Sequence, residues 1–356
     1  MLATDFYNAL VVTVLTLLAL AACLILSTLL RHAFVSLRLR YRARRGAVLL
    51  PLLCQSISDP SLREELSSQL LRTDPPVLLP MLIQLALDLR GEELQRVAKL
   101  AEELGLVRAE RRRLRSPLAT ERAEAVKNLG LLRAHEALPA LLRLLVKDRR
   151  RAVRWAGARA VGEIGGRDAV EGLLAMLEDR DSGLVRNAQE VLLETAPEAG
   201  REIVRHARTT KSASARLAAV ELLGALRDTG ASELLLELAD APDAELRTKV
   251  VKAAAALCDP RFLDTFRRSL SDPVWSVRCQ AANGLGAIGD VDAIADLFEA
   301  MGDEAWWVRF NAASALAELG PPGRAALAEA TTDSDLRLQE VARYVLQRTS
   351  LMLEAA

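Results

Sequence analysis

The chain has 356 residues, 51% of them hydrophobic but only 4% aromatic, and its 47 Lys and Arg are balanced by 47 Asp and Glu. Its length exceeds one ordinary compact core, no Pro/Gly/Ser-rich linker divides it, and its Ala, Leu, Val and Arg bias suits closely packed helices, which excludes a sheet-based fold. The neutral total hides a dipole: residues 1–160 carry 26 Lys and Arg against 15 Asp and Glu, leaving 21 and 32 for residues 161–356.

Residues 1–8 form a short N-terminal segment with Asp5 as its only charged side chain. Residues 9–30 follow with no charge and thirteen Leu, Ile and Val. As a helix this stretch is roughly 33 Å long, enough for a bilayer core of about 30 Å. A cleaved signal peptide carries basic residues ahead of its apolar run, and here there are none. Leu20-Ala21-Ala22-Cys23 resembles a lipoprotein processing box, but the apolar run continues through Leu24, Ile25, Leu26, Leu29 and Leu30. Residues 9–30 are therefore expected to be an uncleaved transmembrane helix.

Residues 31–47 form a basic juxtamembrane segment containing Arg31, Arg38, Arg40, Arg42, Arg44 and Arg45, and no acid occurs from Phe6 through Ser58. The positive-inside rule places the N-terminus outside and all that follows in the cytoplasm. These arginines are expected to meet anionic lipid headgroups. The arginine-rich, lysine-poor usage fits a bacterium of high G+C content, whose inner membrane suits this orientation. Cys23, Cys54, Cys258 and Cys279 are widely spaced among apolar neighbours and are expected to be small buried hydrophobes in a reducing compartment.

Residues 48–356 carry a repeat. An arginine returns at Arg122, Arg154, Arg186, Arg216, Arg247, Arg278, Arg309 and Arg337, in steps of 28 to 32 residues. Val277-Arg278 leads to Ala281-Ala282, Leu285-Gly286 and Gly289-Asp290, and Val153-Arg154 and Val308-Arg309 open similar runs. Apolar residues three and four apart define one buried helical face, glycine closes the helix, and a second helix follows, as in 136–146, 169–177 and 293–300. No such hairpin buries its own apolar face, so neighbours must stack. Asp148, Asp272 and Asp303 each precede their arginine by six residues, which marks the arginine ladder as structural, with a paired or capping carboxylate.

The tandem units resemble the HEAT-like repeats named after phycobilisome lyases. The resemblance is clear over 115–347 and weaker around Arg63 and Arg96, which makes about ten units. It implies an all-α fold: a right-handed α-solenoid of about ten helical hairpins preceded by one transmembrane helix. The middle units depart from the pattern, with Pro197 after Arg186 and no glycine at Cys258 after Arg247.

Trp275 and Trp306 stand at the same place in consecutive units, Trp307 and Phe310 adjoin the second, and Trp155 follows Arg154. These five are the candidate protein-binding residues, read either as packing between the repeats or as an aromatic patch near the distal end. The tracts Arg111, Arg112, Arg113, Arg115 and Arg143, Lys147, Arg149, Arg150, Arg151, Arg154 suit phosphates, lipid headgroups or an acidic protein face. Without interleaved aromatics, base stacking is unsupported and nucleic acid is not the expected partner.

No catalytic site assembles from His32, His135 and His206, and one His-Glu pair, His135-Glu136, cannot supply the ligand pairs that HEAT-repeat hydroxylases use for two irons. No enzyme activity, cofactor or metal is expected. The reading is a membrane-anchored scaffold or accessory subunit that binds other membrane-associated proteins, such as a synthase or secretion assembly. A phycobilin-lyase-like enzyme or cofactor chaperone, and a nucleic-acid-binding HEAT protein, are the alternatives.

Overall fold

The computed structural model describes the backbone of residues 2–71 and 74–355, with side chains for 15, 17, 18, 20–71 and 74–348. The whole of the expected N-terminal segment, residues 1–8, and residues 9–14, 16 and 19 of the expected span thus lie outside the described side chains. The described residues are helical throughout, with no strand among them. They fall into two compact units, residues 1–115 with 131–134, and residues 116–130 with 135–356.

In the first unit α1 runs from Leu2 to Ser58, followed by α2 (Arg63–Gln69), α3 (Pro75–Asp88), α4 (Gly91–Glu103) and α5 (Leu106–Arg113). The expected boundaries at 30/31 and 47/48 fall inside one unbroken helix of 57 residues. No glycine or proline separates the apolar run from the basic run, so nothing stops the helix there. Its N-terminal described portion exposes Leu24, Ile25, Leu26, Leu29 and Leu30, whereas Leu49, Leu53 and Ile57 near its C-terminus are buried against α3 and α4. Gly46 lies at this packed end, close to Val77 and Met81 of α3.

In the second unit each hairpin pairs a first helix of 13 or 14 residues with a shorter second one. The first helices are α6 (Ala119–Leu131), α8 (Arg151–Ile164), α10 (Ser182–Thr195), α12 (Ala213–Leu226), α14 (Ala244–Leu257), α16 (Trp275–Ile288) and α18 (Trp306–Glu318). The second helices are α7 (Leu138–Lys147), α9 (Arg167–Ala175), α11 (Gly200–Thr209), α13 (Ser232–Leu238), α15 (Leu263–Ser269), α17 (Ile294–Ala300) and α19 (Pro321–Ala330), and α20 (Leu336–Ala355) ends the chain. From α8 to α20 every first helix packs on the next, which builds a stacked row.

Small residues set the spacing of that row. A Cβ added at Gly130 would lie 2.6 Å from Ala160 Cα, one at Gly224 2.8 Å from Ala253 Cα, and one at Gly286 2.6 Å from Ala315 Cβ and 2.9 Å from its Cα. Neighbouring helices touch there through backbone, so they close up only because no side chain stands between them. Gly286→Leu is expected to lower stability by about 2 kcal/mol or more through overpacking, which a denaturant midpoint would register. An unchanged midpoint would show that the stack can open at that crossing.

The first helices end where the chain turns left-handed, at Gly289 (φ +81°) and Gly320 (φ +78°). The unit without a glycine makes the same turn with Cys258 itself at φ +50°, and Arg227 does so at φ +52°. The departure noted in the sequence therefore changes the residue and not the turn. Cys258 is exposed as a result, as are Cys23 and Cys54, and only Cys279 is buried, against expectation. Burial pushes the Cys279 thiol above its usual value.

Candidate docking surface

The recurring arginine sits in the first turns of each first helix, and at Arg122, Arg247 and Arg278 the guanidinium reaches both back under the preceding loop and forward to the next hairpin. Arg278 donates from Nη1 to the Asp272 carbonyl at 2.8 Å, and from Nε and Nη2 to the Asp303 carboxylate at 2.6 and 2.9 Å. Arg247 repeats this with the Ala241 carbonyl and Asp272, and Arg122 with the Ser116 carbonyl and Asp148. Arg154 reaches Asp179 at 2.5 Å. Each carboxylate also accepts the backbone N–H two residues on, from Arg150, Asp181, Val274 and Ala305 in turn. Asp148, Asp272 and Asp303, each six residues before an arginine, thus pair with the arginine of the preceding hairpin, and Asp272 and Asp303 also offer their own arginine a carbonyl. The ladder binds hairpin to hairpin.

The rungs break in the middle. Positions 148, 179, 210, 241, 272, 303 and 333 each stand three residues before the next helix of the row, and they read Asp, Asp, Thr, Ala, Asp, Asp, Asp. Opposite Thr210, Arg186 is exposed and unpaired among the described residues. Opposite Ala241, Arg216 binds only the carbonyls of Ala207 and Thr210. Before α20 the equivalent Asp333 accepts the Asp335 N–H at 2.8 Å, while Arg309 holds the carbonyls of Asp303 and Glu304 and leaves its buried Nε unpartnered. Arg337, in the last helix, turns back to Asp335 in its own turn.

Asp148, Asp272 and Asp303 are held below the usual carboxylate range. For Asp148 the Arg122 guanidinium is the main cause; for Asp272 and Asp303 burial pushes upward, but Arg247, Arg278 and the backbone N–H groups outweigh it. Lowered folded values mean that the stabilisation is complete above the unfolded carboxylate value near pH 4 and disappears as pH falls through and below it. Melting temperature should be level near neutrality and fall steeply below about pH 5. A level profile down to about pH 3 would show the pairs contribute no net stability.

In the first unit the same chemistry appears at a place the sequence did not suggest. Arg45 donates to the Asp74 carboxylate from Nε at 3.1 Å and Nη2 at 2.9 Å, and to the Gln69 carbonyl at 2.7 Å. Asp74 is fully buried, accepts the Leu71 N–H at 2.8 Å and the Tyr41 hydroxyl, and is held well below the carboxylate range chiefly by Arg45. Arg45, expected at a lipid surface, is thereby taken up inside the protein. Arg31, Arg38, Arg40, Arg42 and Arg44 remain exposed on α1. Arg63 and Arg96, the weaker repeat positions, pair instead with Glu103 at 2.8 Å and, within the same helix, Glu92 at 3.7 Å.

The aromatic residues separate into three places. Trp306 stacks on Phe310 with ring centroids 5.1 Å apart and meets Trp307 edge-on at 4.8 Å. Tyr344 of α20 closes the group at 6.2 Å from Trp306 and 6.0 Å from Phe310, and the Arg348 guanidinium lies over Phe310. This cluster is open to solvent, with Trp307 55% and Tyr344 50% exposed. Trp275, at the equivalent position one hairpin earlier, is exposed but makes no ring contact among the described residues, so it does not join the patch. Trp155 stands apart, on α8, with the Arg151 guanidinium over its ring. Tyr344 and Arg348 were not foreseeable, because α20 meets α18 only once the hairpins stack.

Elsewhere in the second unit a cavity of about 810 Å³ opens among Gly162, Arg167, Thr195, Arg201, Glu202 and Asp228, with mixed charge. Burial holds the His206 imidazole below its usual value, with Glu178 opposing. Among the described residues no three His, Cys, Asp or Glu side chains gather as metal ligands.

The HEAT-repeat family pattern matches residues 111–193, 202–276 and 264–347, which is more than half of the chain. This is a HEAT-repeat protein. The family match covers the stacked hairpins of the second unit, and the arginine ladder is its internal bracing in this HEAT chain. Comparison with curated protein sequences gives no match. Among solved structures, Escherichia coli YibA is similar at 19% identity and a TM-score of 0.40, covering 79% of this chain and 98% of YibA. The CpcE–CpcF complex of phycocyanin lyase from Nostoc is similar at 23% identity and 0.31, covering 67% and 94%. Kap95p, solved with RanGDP, is similar at 13% identity and 0.46, covering 76% of this chain and 46% of its own.

Proposed function

We propose that this HEAT-repeat protein is a membrane-anchored scaffold or accessory subunit, held by residues 9–30 of α1 in a bacterial inner membrane with its N-terminus outside and residues 48–356 in the cytoplasm. The exposed cluster of Trp306, Trp307, Phe310 and Tyr344 carries the binding reading. Four rings share one surface site, and large aromatic side chains that pack against one another while open to water are the usual anchors of protein interfaces. Burial of such a surface by a partner exploits ordering already present in the free protein. Trp155 and Trp275 are accessory contacts in this reading.

The anchoring reading rests on α1, which among the described residues is the one helix long and apolar enough to cross a membrane, and whose apolar window has no buried share. Its exposed Arg31, Arg38, Arg40, Arg42 and Arg44 would face anionic headgroups on the cytoplasmic side. Confinement to the membrane raises the effective concentration for partners on the same bilayer. Candidate partners are membrane-associated assemblies such as a synthase or a secretion complex.

Affinity purification from detergent-solubilised native membranes tests the binding surface. The Trp306→Ala, Trp307→Ala double variant is expected to lose its co-purifying chains, with affinity down more than about tenfold and melting temperature little changed. Equal recovery with both proteins would move the binding site off the aromatic cluster.

A further inference from the structure

The loop between α7 and α8 gathers charge that the fold does not use. Arg143 and Lys147 lie one turn apart on α7 with Val146 beside them, and Arg149 and Arg150 follow in the connection. All five are exposed, Val146 at 73%. None of the four cations has an ion pair or side-chain hydrogen bond among the described residues, whereas other arginines nearby are committed: Arg151 to Asp181, Arg154 to Asp179, Arg159 to Glu163 and Glu194. The one acid within residues 137–162, Asp148, is neutralised by Arg122 and by the Arg150 N–H. One turn into α8, Trp155 stands 41% exposed with Arg151 across its ring.

We infer that this loop is a second membrane contact, in which Arg143, Lys147, Arg149 and Arg150 bind the headgroups of anionic lipids while Val146 and Trp155 enter the interface. Four unpaired cations suit a negative surface. An exposed valine among them has no role against a phosphate backbone, but it does at a headgroup boundary, where tryptophan is also favoured. Arg151 lies against the Trp155 ring, which disfavours base stacking on that face. The inference rests on the proposed anchoring by α1, which keeps the loop's chain at a bilayer and turns a weak contact into a persistent one.

The test uses the full chain in vesicles of phosphatidylcholine, with or without phosphatidylglycerol, whose acyl chains carry bromine. With Trp275, Trp306 and Trp307 replaced by Phe, Trp155 is the only tryptophan, and its emission should shift to the blue and be quenched in anionic vesicles alone. Adding Arg143→Glu, Lys147→Glu, Arg149→Glu and Arg150→Glu should abolish the quenching. If the Trp-to-Phe chain does not fold, trypsin cleavage of the unsubstituted chain after Lys147, Arg149 and Arg150 serves instead, and anionic vesicles should slow it. Vesicle-bound protein with Trp155 unquenched, or cleavage unslowed, overturns the inference while leaving the anchor intact. Protein that does not remain with the vesicles overturns the anchor reading. A blue shift produced by duplex DNA and not by anionic lipid assigns the patch to nucleic acid and overturns the inference as well.

Discussion

Arg278→Glu is expected to destabilise the second unit by about 3–5 kcal/mol, whereas Arg186→Glu should change stability by no more than about 0.5 kcal/mol. Both residues hold the same place in the repeat, yet Arg278 is 10% exposed and donates three hydrogen bonds, two of them to Asp303 across the junction between α16 and α18. Glutamate there would remove all three donors and set a second carboxylate against Asp303, itself only 12% exposed. Arg186 is exposed and has no ion pair or side-chain hydrogen bond among the described residues, so it has little to lose. Because stacked repeats depend on nearest-neighbour interfaces, the loss should appear first as separation of the last hairpins from the rest. Denaturant titration of the two variants in the same detergent checks the contrast. Equal midpoints would show that the carboxylate rungs do not hold the stack.

Asp74→Ala is expected to loosen α1 from the first unit, at a cost of about 2–4 kcal/mol. The carboxylate is fully buried and gathers Arg45, the Leu71 N–H and Tyr41 at one point between α1 and the start of α3. Without it Arg45 keeps only the Gln69 carbonyl, although partial exposure lets water relieve part of the loss. The C-terminal end of α1 would then no longer be fixed to α3. Hydrogen exchange should quicken through residues 42–58 and stay unchanged in α14 to α18. Unaltered exchange in residues 42–58 would mean that Leu49 and Leu53 hold α1 without the ion pair.

Periodicity was the readable part of this chain. An arginine every thirty or so residues, followed by alanines and a closing glycine, identifies the hairpins, because one buried face per helix needs apolar residues three and four apart. The positions Trp275 and Trp306 are likewise equivalent, as their places at the head of α16 and α18 show. What joins the hairpins was less legible. Asp303 belongs in sequence to Arg309 but in space to Arg278, since its carboxylate points back along the stack and only its carbonyl meets its own arginine. Arg45 looked like one more juxtamembrane cation, and its buried partner lies 29 residues on, outside the repeat pattern. Tyr344 completes the aromatic cluster from a helix whose contact with α18 exists only after stacking. Exposure of Cys258 follows from its left-handed turn, which no neighbouring residue announces.

The central claim, a cytoplasmic HEAT surface carried on α1 in the membrane, is tested most directly by adding trypsin to sealed inside-out membrane vesicles. The repeats should be digested from outside without detergent, while a short N-terminal fragment ending within the exposed arginines of α1 stays with the washed membranes. Repeats that resist trypsin until the vesicles are opened, or a chain that washes off whole, would contradict the account.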